Sequence, residues 1–243
     1  MSARVLLLCF VMSGPASAQG FAGLGAQAEG FEIPAPGYQF AFPVDHGPHT
    51  DFRIEWWYLT ANLKDADGVD YGVQWTLFRT ALAPGDKAGW SSPQLWMGHA
   101  ALTSGSEHFV AERLARGGIG QAGVTPAPFA AWIDDWEMSS HAQVGADVLS
   151  ALSVGASGSG FSYELALDAD KPIVLHGKDG YSVKSTGAGQ SILLAAFLHR
   201  SRFVEDRRPD YRRDGPRLAG PGMVVPAARQ RSERLGLVFT AFR

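Results

Sequence analysis

An all-β domain, a sandwich or an antiparallel barrel, is the fold class that this chain predicts. Three observations lead there. Short segments that alternate apolar with polar residues recur at intervals of about 8–15 residues. Gly, Asp and Pro separate them. No stretch sustains a helical 3.6-residue period between caps, Glu107 to Ala115 being the nearest approach to one.

The elements follow in order. Arg4, the apolar run Val5 to Met12 and Ala16-Ser17-Ala18 before Gln19 read as an export signal over residues 1–18. That run is too short to span a bilayer, so no transmembrane segment is expected after cleavage and the location is periplasmic or secreted. Cys9 is the single cysteine and lies inside the signal, so no disulfide framework is expected. Residues 19–37, rich in Gly, Ala and Pro, read as a linker into a domain over 38–190. Within it, Ile54 to Leu63 and Tyr71 to Thr80 flank a D-G turn signal and form a hairpin. Further strands are expected at Trp96 to Thr103, His108 to Arg113, Phe161 to Leu167, Pro172 to His176 and Tyr181 to Lys184, while Phe129 to Met138 holds Trp132 and Trp136 around Asp134-Asp135.

The chain as a whole carries a net charge of −3, which hides an asymmetry. Residues 1–190 hold 10 basic and 19 acidic side chains, whereas residues 191–243 hold 11 and 5. The acidic body has no basic stripe for nucleic acid. The basic end has no Trp, since all seven precede residue 137; composition predicts a disordered tail there.

Functional candidates are the polar and aromatic residues inside the strands. Period-two alternation puts Arg53, Glu55, Trp57 and Leu59 on one face of the first strand and Ile54, Trp56, Tyr58 and Thr60 on the other. A carboxylate beside two indoles must be paired, hydrogen-bonded or used. Glu55, Gln74, Arg79 and His99, with Asp45, His46 and His49 just upstream, suit a mostly apolar pocket holding a few converging polar groups. The plainer alternative for Arg79 is a pair with Glu55 across the hairpin. His46 and His49 stand three apart, but no third ligand accompanies them, so no metal is expected. A P-loop, a G-x-S-x-G elbow and a dinucleotide fingerprint are all missing, and no cofactor is expected.

FPVDHGPHTDFRIEWWYLTANL, then YGVQWTLFR, the His of MGHAALTS, AWIDDW and HGKDGYSVKS, in that order, resemble secreted AttH-type proteins related to carotenoid 1,2-hydratases, the CrtC family. The likeness covers about residues 38–190. It implies a lipocalin-like (calycin-type) antiparallel β-barrel, normally followed by a second one. It also implies either a hydrolase or hydratase adding water to an apolar, lipid-like (isoprenoid or carotenoid-type) substrate, or a non-catalytic lipid-binding partner of an ABC-transport system. Position by position it points to His46, His49, Glu55, Trp56, Trp57, Arg79 and His99. Among all the candidates, Glu55, His99 and His46 are taken as catalytic and His49, Trp56, Trp57, Tyr58, Gln74 and Arg79 as substrate-binding.

Residues 191–243 depart from the family. Read one nucleotide downstream with compatible codons, Arg213 to Arg229 can give T-G-R-A-W-L-D-R-E-W-S-S-Q, a motif typical of the second barrel. Met223 before Val224 forces its Trp codon. A frameshift near Gly189 to Ser191 is therefore expected. It would leave a truncated N-terminal half, inactive if the D-R-E-W acids carry the chemistry, with an aberrant basic tail.

Overall fold

The structure, a computed structural model, describes residues 29–65, 67–169, 171–185, 188–196, 198–203, 223–224, 229–230 and 235–242, with side chains through Ser182. The expected signal and the first part of the linker lie outside the described residues. Where the linker is described, Glu32 N–H donates to the Asp51 carbonyl at 2.9 Å, tying it to the domain.

Four strands, β1 (Ile54–Lys64), β2 (Asp70–Ala81), β3 (Gln94–Thr103) and β4 (His108–Arg116), form an antiparallel meander. The β1–β2 hairpin forms as expected. Its turn is closed by Asp65, whose Oδ1 accepts the N–H groups of Asp67 and Val69, and by Gly68 at φ +83°. A second meander runs through β5 (Ala122–Pro126), β6 (Phe129–Ile133), β7 (Trp136–Ser140), β8 (Ala151–Gly158) and β9 (Phe161–Ala169). The pair Asp134-Asp135 makes the β6–β7 turn, with Asp134 at φ 54°.

The strand expected at His108 to Arg113 forms as β4, and the faint helical period over Glu107 to Ala115 is not realised. Paired along β3, the strand turns Phe109, Ala111, Arg113 and Ala115 inward and Val110, Glu112 and Leu114 outward, a strict period of two. Neither β5, in a stretch rich in Gly and Pro, nor β8 was expected. The β8 sequence ALSVGASG is made mostly of small residues with weak strand preference, and its pairing with β7 and β9 imposes the conformation.

Residues 191–243, expected to be a tail, include strands where their backbone is described. They follow β10 (Val174–Leu175) and β11 (Tyr181–Ser185) and comprise most of β12 (Ala188–Ala196), then β13 (Leu198–Phe203), β14 (Met223–Val224), β15 (Arg229–Gln230) and β16 (Leu235–Phe242). The rest of that stretch lies outside the described residues. One sheet has the order β10-β12-β16-β1-β2-β3-β4, the other β15-β13-β9-β8-β7-β6-β5.

The core lies between the two sheets. Leu59, Trp75 and Leu77 from one meet Ile133, Met138 and Leu165 from the other, all fully buried. The sheets come so close at Gly98 that a Cβ there would stand 2.7 Å from Ile133 Cγ2. Arg113 crosses between them. Its guanidinium lies 4.3 Å above the Trp136 ring, ion-pairs with Asp135 and donates to the Ile133 carbonyl. At these contacts the described sheets bury large side chains against one another.

Candidate functional site

The conspicuous motif forms two arrangements, one on each face of β1. The inner one is a charged clamp. Glu55 and Arg79 are partners in the β1–β2 register, and both point inward. Arg79 is 0% exposed, and burying a guanidinium unpaired would cost several kcal/mol. Nε donates to Glu55 Oε2 at 2.8 Å, Nη1 to Gln94 Oε1 at 2.6 Å, and Nη2 to the carbonyls of His49 and Phe52 at 2.8 and 2.7 Å. Gln94 is in turn held by the Gly85 carbonyl.

Glu55 also fixes the segment before the strand. Its Oε2 accepts the His49 backbone N–H at 2.8 Å, and its Oε1 lies 2.7 Å from His49 Nδ1. The other ring nitrogen of His49 stands 3.1 Å from Asp45 Oδ1. Burial alone would lower the His49 pKa, but the two carboxylates outweigh it and hold the ring up at about 9. His49 is therefore an imidazolium at neutral pH with both N–H groups spoken for, which makes it a poor base. Asp45 completes the chain by accepting from the Tyr38 hydroxyl, whose pKa burial and Asp45 raise to about 12, and from the Ala41 N–H.

His46 and Trp57 belong to the same wall. The Trp57 indole N–H donates to the His46 carbonyl at 3.0 Å, and Trp57 is buried in the core. The His46 ring is buried against Phe42, centroids 4.7 Å apart, and burial pushes its pKa down to about 4. A neutral buried imidazole beside a charged one is the electrical signature of this clamp.

The remaining candidates lie on the outer face of the β1–β4 sheet. Trp56, Tyr58, Gln74 and His99 all point away from the core. The register sets them in rungs across the strands. Tyr58 faces Thr76, Thr76 faces His99, and His99 faces Glu112. One rung along, Trp56 faces Phe78, Phe78 faces Met97, and Met97 faces Leu114. His99 Nε2 is 3.6 Å from Glu112 Oε1, and its ring meets Phe78 edge to face at 5.2 Å.

Sequence reasoning thus gathered residues from two sites into one. The structure brings Glu55, His49 and Arg79 together, with His46 and Trp57 against them, and separately Trp56, Tyr58, Gln74 and His99. It adds three residues that were not singled out, Gln94, Thr76 and Glu112. Thr76 was legible as the residue alternating between Trp75 and Leu77. Gln94 and Glu112 needed the pairing of β3. Chemically the clamp is a positioning device, whereas the outer face combines an imidazole, an acid and hydroxyls with half-buried aromatic surface. Among the described residues no three His, Cys, Asp or Glu side chains form a metal-binding group, and no helix is long and apolar enough to cross a membrane.

A crystal structure of a candidate AttH from Nitrosomonas europaea matches with a TM-score of 0.54 and 21% identity, over 87% of this chain and 57% of that one. Kievitone hydratase from Nectria haematococca matches with a TM-score of 0.46 and 9% identity, over 88% and 55%. The chain spans little more than half the length of these solved structures, and no curated protein sequence matches it. The likeness to the first agrees with the all-β, lipocalin-like architecture implied by the sequence. The model of the AttH-like family matches residues 33–194, a span that holds both the clamp and the outer-face rungs, and the chain belongs to that family.

Proposed function

We propose that the chain is an exported protein that takes an apolar, lipid-like substrate of the isoprenoid type on the outer face of β1–β4 and adds water to it or hydrolyses it beside His99. The observation that carries this is the division of labour across β1. Inside, Glu55, Arg79 and His49 are consumed in a clamp, while the outer face keeps Trp56, Phe78 and Met97 half-buried around His99. Large aromatic side chains there supply contact area, and an imidazole is suited to proton transfer near neutral pH. In a hydration, protonated His99 would give its proton to one alkene carbon, water would bond to the cation left on the other, and the ring would take back the surplus proton of that water. In a hydrolysis, neutral His99 would take a proton from water as its oxygen attacks the carbonyl and give it to the leaving oxygen.

His99→Ala is expected to lower turnover about 100-fold while leaving ligand binding within about twofold, since general acid–base catalysis contributes roughly that much. Turnover of long-chain esters and of isoprenoid alkenes, measured beside displacement of a fluorescent apolar probe, checks it. Equal turnover in variant and parent would remove His99 from the chemistry. Saturable binding without turnover in the parent would favour the second reading, a lipid-binding accessory of an ABC-transport system. The loss of Glu55 and His49 to the clamp is the observation on that side. The frameshift near 189–191 belongs to the same proposal, and resequencing the gene from codon 185 onward tests it.

A further inference from the structure

Resting on that reading, we infer that the outer face selects a neutral amphiphile, an alcohol or ketone with a straight apolar reach of roughly 11–12 carbons, laid across the strands along Trp56, Phe78, Met97 and Leu114. The rung has two ends. On one side β4 is the last strand of its sheet, with Leu114 76% exposed upon it. On the other, the register carries Trp56 onto the position of Thr240 in β16, where the run of apolar residue types stops. Three strand spacings separate Trp56 from Leu114, about 14 Å at about 4.8 Å each. An extended alkyl chain advances about 1.25 Å per carbon, from C–C bonds of about 1.5 Å at about 111°, which gives the length.

The next rung sets the head group. Two residues along the strands, about 7 Å away, run Tyr58, Thr76, His99 and Glu112. The Tyr58 hydroxyl and the His99 ring hydrogen-bond a hydroxyl or carbonyl oxygen, whereas Thr76, 4% exposed, is closed to it. Glu112, 70% exposed, repels a carboxylate, so the head is uncharged. Beyond them the rung Thr60, Gln74, Ala101 and Val110 is mixed in character and offers no second apolar track.

The test is displacement of N-phenyl-1-naphthylamine from the full chain by 1-alkanols and by n-alkanoates from C6 to C16. Affinity for alkanols is expected to rise two- to fourfold per carbon, then level off at C11–C12. Each alkanol is expected to bind more tightly than its alkanoate. In Leu114→Asp the plateau should move about four carbons earlier, one strand spacing. Val110→Asp, on the same exposed strand but a different rung, should leave the plateau where it is and so controls for folding. Glu112→Gln should narrow the alkanol–alkanoate difference. No saturable displacement, a rise unbroken to C16, or the same plateau in Leu114→Asp would overturn the inference. Plateau behaviour without turnover would uphold it and refute the water-adding chemistry; turnover without a plateau would do the reverse.

Discussion

Arg79→Met is expected to destabilise the protein by about 3–5 kcal/mol, the usual cost of removing one partner of a buried ion pair. Met fits the space but takes the guanidinium from Glu55, leaving the His49 imidazolium to offset that carboxylate, and it frees the carbonyls of His49 and Phe52 and the Gln94 side chain from their donor. Urea unfolding of the variant measures the loss. Adding Glu55→Gln to Arg79→Met should recover part of it, because the under-compensated carboxylate is then gone; strict additivity of the two costs would show that they do not act as a pair. An Arg79 that served a ligand instead would give a variant of near-parental stability.

Stability should also trace a bell against pH, from two histidines in opposite situations. His49 binds its proton more tightly folded than unfolded, so its contribution is complete below about 6.5 and is lost as pH rises towards about 9. His46 is held neutral by burial. The unfolded chain takes up that proton first, and stability is lost as pH falls from about 6.5 towards about 4. Each arm is worth on the order of 3 kcal/mol, with the maximum near pH 6.5. Urea midpoints between pH 4 and 9.5 trace the curve. His49→Gln should flatten the alkaline arm and His46→Phe the acid arm. If the alkaline arm persists unchanged in His49→Gln, the clamp does not hold a charged imidazole.

Much of this was legible in the sequence, for a reason that particular strands show. In β1 and β2 the apolar period of two separates the faces, so Glu55 fell with Trp57 and Leu59, Trp56 with Tyr58, and the Glu55–Arg79 pair was legible as the plainer alternative to a pocket. What alternation does not encode is which strands lie side by side. His99 reads the same whether its neighbour is Glu112 or solvent, and only the β3–β4 register decides. Strand β8 shows the opposite failure: its small residues carry little local preference, and long-range pairing supplies what the sequence window lacks. The candidate residues divide between two faces for the same reason. A strand has two faces, and adjacent letters in Glu55-Trp56-Trp57-Tyr58 go to opposite ones.

The placement of β1 also governs the order in which the fold can be made. Its β2 partner follows after one short turn, but Ile54 also pairs with Phe242, almost at the far end of the chain. The β1–β4 meander can therefore form early from local contacts, whereas closure onto β16 waits for nearly all the polypeptide and is the slow, high-contact-order event. Until then the second edge of β1 presents a row of unpaired amides beside Trp56 and Tyr58, a template for pairing with another copy. During synthesis, when the chain emerges from its amino end, that edge is the segment most in need of a chaperone.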